Sequence, residues 1–361
     1  MRRFTEFAAS LVLAVLILYA LLTHFDLHRT VESLRKARLG PLIIGVMLMM
    51  AADLLRGWRW RIWQRSLSYW NSLRVIQIGF MGNNILPGRL GEILRAHCAA
   101  AKANDDWGRT AALGSIAAER ILDGLVLGAF GLVAISVLHL DRRLEWGLFL
   151  VSLIFASLTM ALVLSVRHQK WIRCLIFAVS HKFPGRLTAF AREKAGQLLD
   201  GIVPLGTLPR MLAAITSTAA VWGIEAAVCY VVGLALWGDM RLHTALLFLV
   251  VVNFATLVPL TMGGIGTVEA AGPLYLISSG VSPHLALAMV LLQHGGRYLF
   301  TTITGTVFYL GGGFQRKPVS KKTDPIKGVT VVDQVSRQAG GLRLDPARGC
   351  YRDLLLPPGS G

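Results

Sequence analysis

The sequence has few charged residues, and this scarcity indicates the class of protein. Only 16% of its 361 residues are Asp, Glu, Lys or Arg, whereas 54% are hydrophobic and the mean hydropathy is +0.56. A soluble domain usually carries about 25% charged residues, because its water-facing surface needs them. The apolar residues also fall into blocks that are too long for the buried helices of a globular core. The chain is therefore predicted to be an integral membrane protein.

Several kinds of functional motif are also lacking. The four cysteines are far apart, with no CxxC pair and no histidine at ligand spacing, so no metal site is expected. No HExxH motif, nucleotide-binding loop, DxD-like acidic pair or nucleophile–base arrangement occurs, so the sequence indicates no cofactor and gives little support for catalysis. The net charge of +17 does not predict nucleic-acid binding, because almost no soluble chain is present to carry a basic face.

Long apolar stretches define the expected membrane spans. A helix needs about 20 apolar residues to cross the hydrocarbon layer. Six stretches qualify, at residues 7–24, 41–57, 110–139, 146–166, 209–237 and 284–312. The first is followed by no small-residue cleavage site, so an uncleaved span is expected rather than a signal peptide. The predicted fold class is an all-α polytopic membrane bundle.

Two further apolar segments, 75–97 and 244–280, are interrupted in the middle by proline and glycine. These interruptions are Pro87, Gly88 and Gly91 in the first segment, and Pro259, Gly263, Gly264 and Gly266 in the second. Proline removes a backbone donor and glycine lowers helix propensity, so each segment is predicted to be a broken helix or a re-entrant hairpin. Irregular backbone is tolerated at membrane depth only where it is buried in protein or lines a wet cavity.

The distribution of basic residues predicts the orientation in the membrane. Lys and Arg favour the cytoplasmic side. With the N-terminus inside, 28 of them lie in the cytoplasmic segments 1–6, 56–109, 167–210 and 314–361, against 7 in the outside loops 23–40, 141–145 and 238–243. Both termini are therefore expected in the cytoplasm.

This orientation places the two broken segments on opposite sides of the membrane. Opposed broken elements in the two halves of a chain are typical of inverted-repeat transporters, whose substrate site lies where the breaks meet. The alternative is a pair of kinked helices with no shared role.

Outside the spans, residues 167–208 predict a cytoplasmic connector with an amphipathic, lipid-touching helix around Trp171, Leu175 and Val179, or a plain connector. Residues 314–361 are predicted to be a disordered basic tail that follows a transmembrane domain of residues 1–313.

Polar residues cluster around the first break. They are Asn83, Asn84, Arg89, Glu92 and Arg95. An ionisable group in a membrane segment costs several kcal/mol, so it is a candidate for function. A helix that restarts after the break points free N–H groups into it, where a phosphate could sit, and Arg89 or Arg95 could then bind that phosphate bidentately. The alternative is that both arginines extend to the cytoplasmic surface.

Ionisable residues also occur inside two predicted spans. Glu119, Arg120 and Asp123 share a turn at the start of the third span, where they form either a structural ion network with Arg89 or Arg95 or part of a site. In the last span His294 and Arg297 lie one turn apart. Glu225, alone in the fifth span, could be protonated, pair with Arg297 or couple transport to protons.

The second break contains its own acidic residue. Gly266 is at the expected N-cap of a restarting helix and Glu269 is three residues later, so helix capping by the carboxylate explains Glu269 as well as a role in a site does.

Three motifs in order resemble the membrane region of the lysylphosphatidylglycerol synthase family, which is also described as flippase-like. They are GFMGNNILPGRLGEILR from Gly79 to Arg95, ERILD from Glu119 to Asp123, and Pro259 followed by GGIGTVE from Gly263 to Glu269. The resemblance covers about residues 5–313 and implies a polytopic bacterial or archaeal inner-membrane protein that handles a lipid at these breaks. Full-length members add a soluble domain that transfers an aminoacyl group from tRNA. The 48 residues after the last span are too few for that domain, so synthase chemistry is not expected.

The function expected from these residues and this resemblance is binding and translocation of a phospholipid, an aminoacyl-lipid or a polyprenyl lipid. The alternatives are a membrane enzyme, or an enzyme's membrane partner, in lipid or glycolipid synthesis, and a scaffold without a lipid site. The expected partners are a membrane lipid and a lipid-biosynthesis enzyme, not nucleic acid. The residues expected to contact the headgroup are Asn83, Asn84, Pro87, Gly88, Arg89, Gly91, Glu92, Arg95, Glu119, Arg120, Asp123, Gly263, Gly264, Gly266, Glu269 and Arg297.

Overall fold

A computed structural model of the chain describes residues 12, 16, 19, 23, 25–64, 66–103, 108–137, 142–180, 185–257 and 261–311. Over these residues the regular structure is entirely helical, which confirms the predicted all-α class. Only four positions of the predicted first span 7–24 are described. Pro259 and the predicted tail 314–361 lie outside the described residues.

The helices follow one another along the chain with short connections. They are α1 (Leu27–Arg35), α2 (Leu39–Trp60), α3 (Tyr69–Ile85), α4 (Leu90–Lys102), α5 (Arg109–Val137), α6 (Arg142–Arg167), α7 (Gln169–Ser180), α8 (Gly185–Ile202), α9 (Leu208–Trp237), α10 (Leu242–Ala255), α11 (Thr267–Ser278), α12 (Pro283–Val290) and α13 (Gly296–Gly311). A π-helical turn, Leu291–Gly295, joins α12 to α13, and 3₁₀ turns occur at Pro87–Arg89, Val203–Gly206 and Met262–Gly264.

Four helices among the described residues are long and apolar enough to cross a membrane. They are α2, α5, α6 from Glu145 onward, and α9, and they match four of the predicted spans. The predicted span 284–312 corresponds to α12, the π turn and α13, which run on from one another. The predicted span 41–57 ends too early, because α2 continues to Trp60 and keeps Arg56 and Arg59 inside the bundle, 7% and 1% exposed. These two arginines are therefore not part of a cytoplasmic segment.

The first broken segment is a hairpin of α3 and α4. Leu86 is extended, Pro87 begins a single 3₁₀ turn, and Gly88 and Arg89 have left-handed φ values of +62° and +56°, so the chain reverses. The two helices approach closely because their interface contains glycine: a Cβ on Gly82 would lie 2.7 Å from the Cα of Gly91. We call α3, this turn and α4 the first hairpin.

The second broken segment is also a hairpin, formed by α10 and α11. Its reversal includes Gly263, Gly264 and Gly266, all with positive φ. The backbone N–H of Gly266 donates to Glu269 Oε2 at 2.6 Å, which confirms the predicted capping role of this carboxylate. We call α10, this reversal and α11 the second hairpin.

The helices of the two halves pack reciprocally. Helix α2 packs against α9, which precedes the second hairpin as α2 precedes the first. Helix α3 of the first hairpin packs against α13, and α10 of the second hairpin packs against α5. Reciprocal contacts of this kind are those expected when two similar units are related by a twofold axis. The packing therefore supports the interpretation of the chain as two repeats.

Two hydrophobic clusters form the core. One is centred on Trp60, Ile76 and Leu122 and joins α2, α3 and α5. The other is centred on Phe248 and Leu276 and joins α10 and α11 to α9 and α12. Residues 168–196 belong to a separate compact unit. Within it α7 is helical as predicted and exposes Trp171, Leu175 and Val179 on one side, whereas its contact with lipid stays a prediction.

Candidate functional site

The first tip, residues 86–89, and the second tip, residues 261–266, meet inside the bundle. Arg89 Nη2, on the first tip, donates to the backbone carbonyl of Thr256, where the second hairpin leaves α10, at 2.7 Å. Gly263, on the second tip, packs on Asn84, since a Cβ there would lie 3.2 Å from the Asn84 Cα. Tyr298 Oη donates to the Asn84 carbonyl at 3.0 Å. The two breaks thus come together, as the transporter interpretation of the sequence predicted.

A cavity of about 280 Å³ lies beside these tips. Its wall is formed by both hairpins together with α2, α5, α9 and the π turn before α13. Ten of the residues expected at a headgroup site line it, namely Asn83, Asn84, Arg89, Glu92, Glu119, Arg120, Asp123, Gly263, Gly264 and Arg297. The structure therefore brings these predicted residues to one cavity, whereas binding of a lipid there stays a prediction.

The other six expected residues lie elsewhere. Pro87 and Gly88 form the reversal of the first tip, and Gly91 lies in the α3–α4 interface. Gly266 caps α11 and Glu269 lies in its first turn, next to the cavity-lining residues Gly264 and Thr267.

Arg95, the sixth, is buried behind the wall. Its Nη2 donates to Glu119 Oε2 at 2.7 Å, and its guanidinium lies 4.2 Å from the ring centre of Trp60. Only 2% of the residue is exposed. Arg95 therefore neither reaches the cytoplasmic surface nor lines the cavity, because the carboxylate of α5 and the indole hold it between α4 and α5.

Arg59 is the centre of the larger ion network. It forms an ion pair with Glu119 and another with Asp123, at 2.6 Å in the second case, and it also donates to Thr218 Oγ1 at 3.0 Å. Asp123 accepts a further bond from the Trp222 indole at 3.0 Å. A buried guanidinium needs carboxylates of this kind, because an unpaired charge at membrane depth is costly.

Arg120 and Glu92 form the part of this network that faces the cavity. Arg120 lies 3.0 Å from Glu92 Oε1 and 3.1 Å from Asp123 Oδ2, so it links α4 to α5. A third of the Arg120 side chain is exposed, against 2% for Arg59. Arg120 can therefore exchange partners with a ligand, whereas Arg59 cannot.

A second ion network joins α2, α9 and α13. Asp53 Oδ1 contacts Arg56 at 3.0 Å and Arg297 at 2.6 Å, and Asp53 Oδ2 accepts a bond from Gln77. Glu225 contacts the same two arginines at 2.8 Å and 3.5 Å. Of the three alternatives for Glu225, the structure supports pairing with Arg297 and adds Arg56 as a closer partner.

His294 and Glu269 form a third polar group beside the second tip. His294 Nδ1 lies 2.7 Å from Glu269 Oε1, and His294 Nε2 lies 3.0 Å from the Gly263 carbonyl oxygen. His294 is in the π turn, an irregularity that often marks functional sites in helices. From this turn the imidazole reaches both the hairpin tip and the first turn of α11.

Arg89 differs from the other arginines of the cavity. Among the described residues, no carboxylate lies within ion-pair distance of it, and its one hydrogen bond goes to a neutral carbonyl. It is also the one non-glycine residue with positive φ in the described part of the chain. A left-handed backbone costs a non-glycine residue about 1–2 kcal/mol, and such strain is concentrated at functional sites.

Sequence reasoning missed Asp53, Arg56, Arg59 and Gln77 as members of the polar interior. Basic residues near the end of a span usually extend to the membrane surface, so the sequence alone places Arg56 and Arg59 in a cytoplasmic segment. The signal that could have found them is their spacing. Asp53, Arg56 and Arg59 follow one another at intervals of three residues, so they lie along one side of α2.

The chemistry of the cavity is that of guanidinium, carboxylate, amide and hydroxyl groups. Within the described ranges no three His, Cys, Asp or Glu side chains are placed to hold a metal ion together. Guanidinium groups with spare donors at a polar cavity of this size are suited to an anion such as phosphate.

Comparison with known proteins shows one matching family. Residues 7–305 match the family described as Lysylphosphatidylglycerol synthase TM region. The chain is 23% identical to Glycosyltransferase AglD of Haloferax volcanii, over 82% of this chain and 53% of that protein. It is 21% identical to the UPF0104 membrane protein PH1989 of Pyrococcus horikoshii, over 83% of this chain and 95% of that protein.

A further relative, the UPF0104 membrane protein MJ1078 of Methanocaldococcus jannaschii, is 25% identical over 63% of this chain and 92% of its own length. The chain thus spans about half the length of the glycosyltransferase and nearly all of the two UPF0104 proteins. No solved structure matches the chain.

Proposed function

This chain belongs to the Lysylphosphatidylglycerol synthase TM region family, and on that premise we propose that it binds the phosphate-bearing headgroup of a membrane lipid in the cavity between the hairpin tips and moves it across the inner membrane. The observation that carries this proposal is the cation Arg89, which lies at the meeting point of the two tips without a carboxylate partner among the described residues. The proposal is supported by charge balance, by cavity size and by the repeat architecture.

The charges of the two ion networks and Arg89 do not cancel without a ligand, once the His294–Glu269 pair is counted as neutral with one shared proton. The two ion networks and Arg89 contain six arginines and five carboxylates. They are Arg56, Arg59, Arg89, Arg95, Arg120 and Arg297, against Asp53, Glu92, Glu119, Asp123 and Glu225. One positive charge is left over, and a phosphodiester carries one negative charge. A bound phosphodiester would therefore make this interior neutral, which is the favoured state at membrane depth.

The geometry of Arg89 favours an exchangeable anion. Its guanidinium has five N–H donors, of which one is bonded to the Thr256 carbonyl. A phosphate is a stronger acceptor than a neutral carbonyl, because charge-assisted bonds are roughly twice as strong. A phosphate between Arg89 and the exposed edge of Arg120 would therefore displace the carbonyl at little cost.

The size of the cavity sets which part of a lipid could enter. At about 280 Å³ it is slightly smaller than the range of about 300–1,000 Å³ for pockets that enclose drug-sized ligands. It suits a headgroup, whereas acyl or prenyl chains would remain in the surrounding bilayer. This division is the one required to move a polar headgroup through the membrane interior.

The architecture supports movement of the lipid rather than binding alone. In transporters built from inverted repeats, the substrate site lies where broken helices of the two halves meet, and one half rocks against the other. The reciprocal packing of α3 on α13 and of α10 on α5 has this form. The predicted orientation, with the basic residues concentrated in the cytoplasmic segments, would open the two hairpins to opposite sides of the membrane.

A second candidate function is that of a membrane partner in lipid or glycolipid synthesis. The observation that favours it is the relative named Glycosyltransferase AglD, about half of which aligns with this chain. In that case the cavity would hold a lipid-linked phosphate for another protein's chemistry, without movement between leaflets.

A flipping assay tests the proposal. The purified chain is reconstituted in vesicles of phosphatidylethanolamine and phosphatidylglycerol that contain a trace of fluorescent phosphatidylglycerol or, in a separate arm, fluorescent polyprenyl phosphate. Dithionite quenches only the outer leaflet, so faster and more complete quenching than in protein-free vesicles measures flipping. Loss of the Arg89 charge in Arg89→Gln should lower the rate roughly ten- to a hundredfold, the value of a charge-assisted bond.

Arg210→Gln is the matched control, since Arg210 also donates to a backbone carbonyl, that of Pro204 at 3.3 Å, but does not line the cavity. Its flipping rate should equal that of the wild type. Flipping no faster than in protein-free vesicles in both lipid arms would refute transport. Conversion of the lipid to a new species, seen by mass spectrometry without movement, would instead support the enzyme-partner function.

A further inference from the structure

The contacts of His294 determine how many protons it and Glu269 hold. The Gly263 carbonyl can only accept a hydrogen bond, so Nε2 at 3.0 Å from it must carry a hydrogen. Nδ1 and Glu269 Oε1, 2.7 Å apart, then need one hydrogen between them. Whether that hydrogen lies on the ring or on the carboxyl group, the pair as a unit holds one exchangeable proton.

Loss of that proton must break one of the two contacts. If Nε2 keeps its hydrogen, a lone pair on Nδ1 faces a carboxylate oxygen and the contact with Glu269 becomes repulsive. If the ring changes tautomer and donates from Nδ1 to Glu269, Nε2 becomes an acceptor and loses its bond to Gly263. In the first case the π turn loses its connection to the first turn of α11, and in the second case the tip loses its connection to the π turn.

The second tip closes the cavity against the first. Gly263 packs on Asn84 and on the Tyr298 ring, where an added Cβ would lie 2.6 Å from the ring edge. His294 itself lines the cavity with 15% of its side chain exposed, so a proton can be exchanged there. We infer that His294 and Glu269 form a proton-binding site that holds the second tip closed over the headgroup cavity, so that movement of the headgroup is coupled to binding and release of a proton.

This inference rests on the proposed transport function and adds its driving ion. A proton that enters from one side closes the tip, and its release to the other side frees the tip, so a proton gradient would give the movement a direction. Histidine and carboxylate groups inside membrane segments serve such proton steps in pumps and transporters. The cycle makes and breaks only the N–H or O–H bonds of the transferred proton, and no bond between heavy atoms changes.

The other ionisable groups near the pair are engaged or distant, except Arg89 of the first tip, whose one hydrogen bond goes to the Thr256 carbonyl and which lines the same cavity. On the same helical element Arg297 is held by Asp53 and Glu225, and the Tyr298 ring lies edge-on at 6.3 Å. From α9, which packs on the π turn, the ionisable group at the cavity is Glu225, and Arg56 pairs with it.

Two histidines lie on helices next to α11. His243 is at the start of α10, the end away from the tip, and His284 is on α12, about 15 Å before His294 along the helical element. They are therefore not part of the His294–Glu269 pair.

Glu269→Gln tests the inference because it removes the exchangeable proton while keeping every bond. The amide oxygen can still accept from Gly266 N–H, and the amide N–H₂ can donate to Nδ1 while Nε2–H donates to Gly263. The tip should then stay closed as the pH rises, whereas the wild-type tip opens when the pair loses its proton. A merely structural carboxylate would behave in the opposite way, since losing the charged cap would loosen the tip.

The first readout does not depend on lipid movement. Thr267→Cys places a thiol on the cavity wall, in a chain whose four natural cysteines are replaced by alanine. Its reaction with a water-soluble thiol reagent is followed in vesicles from about pH 5 to about pH 8, the range over which histidine changes charge. The rate of the same thiol reaction is measured in a chain that also carries Glu269→Gln. Dividing the first rate by the second at each pH corrects for the thiol's own pH dependence. The corrected rate should rise roughly tenfold or more toward high pH, the effect of one lost charge-assisted bond.

The second readout is fluorescent phosphatidylglycerol flipping under an imposed pH gradient. The wild type and His284→Gln should flip faster with the gradient in one direction than in the other, and Glu269→Gln should not respond to it. Equal pH dependence of thiol reactivity with Glu and with Gln at position 269 would overturn the proton site. Flipping that ignores the gradient would overturn the coupling but leave the transport function standing. A pH-dependent tip without any flipping would refute the transport function and still support the proton site.

Discussion

Replacing Arg95 by glutamine is expected to destabilise the bundle rather than to weaken lipid binding. Arg95 is 2% exposed, pairs with Glu119 at 2.7 Å and stacks on Trp60 at 4.2 Å. Removing one partner of a buried ion pair costs about 3–5 kcal/mol. Glu119 keeps Arg59 as a partner, so the loss in the free energy of unfolding should be near the lower end of this range, about 3 kcal/mol. The lost stacking adds up to about 2 kcal/mol.

The assay is the thermal stability of the detergent-solubilised protein. Samples are heated, and the temperature at which half of the monodisperse size-exclusion peak is lost is compared between variants, because heat denaturation of such proteins is usually irreversible. Arg95→Gln should lower this temperature by roughly 5 °C or more. Arg89→Gln is the matched control, and its temperature should stay within about 1 °C of the wild type, since Arg89 has no carboxylate partner among the described residues to leave unpaired.

A double variant sharpens the test. Adding Glu119→Gln to Arg95→Gln removes the carboxylate that the first change left under-neutralised, and Arg59 retains Asp123. The double variant should therefore be less destabilised than the sum of the two single variants. An Arg95→Gln protein that is as stable as the wild type but no longer flips lipid would refute this reasoning, because it would give Arg95 the phosphate-binding role.

Two further predictions follow from other parts of the chain. Gly91→Ala should abolish the monodisperse size-exclusion peak, because a Cβ at Gly91 would overlap the backbone nitrogen of Asn83. Gly147→Ala, with nothing within 4 Å of the new Cβ, should leave the peak unchanged. A normal peak for Gly91→Ala would contradict the close packing of the first hairpin. In intact cells, a membrane-impermeant maleimide should label Asp239→Cys at once but Glu193→Cys only after permeabilisation, and labelling of both from the same side would overturn the predicted topology.

The two breaks were predictable from the sequence because proline and glycine act locally. Pro87 with Gly88, and Gly263 with Gly264, disfavour a continuous helix through local backbone effects, so both hairpins occur where the sequence predicts them. Their meeting was predictable only through topology, since polar breaks inside a membrane need a shared wet space.

The partners of the charged residues were less predictable. Arg89 and Arg95 are six residues apart and look equivalent in the sequence, but α4 turns Arg95 onto Glu119 whereas Arg89 remains on the tip. The π turn at Leu291–Gly295 has no sequence signal, because it depends on tertiary contacts of a helix whose composition is ordinary. Pairings between distant helices are set by packing, which one sequence does not specify.

The spacing of ion-pair partners along the chain has a consequence for biogenesis. Helix α2 carries Asp53, Arg56 and Arg59, and only the first two can neutralise each other at 3.0 Å within the helix. Arg59 meets Glu119 and Asp123, 60 and 64 residues later, and Asp53 meets Arg297 only 244 residues after its own synthesis. Arg59 lies one residue before the end of α2, where an arginine can extend to the membrane surface until its partners are made. The nascent chain can therefore bury Arg59 in its ion pairs only after α5 has emerged, and it can complete its charge pairing only when α13 has been made.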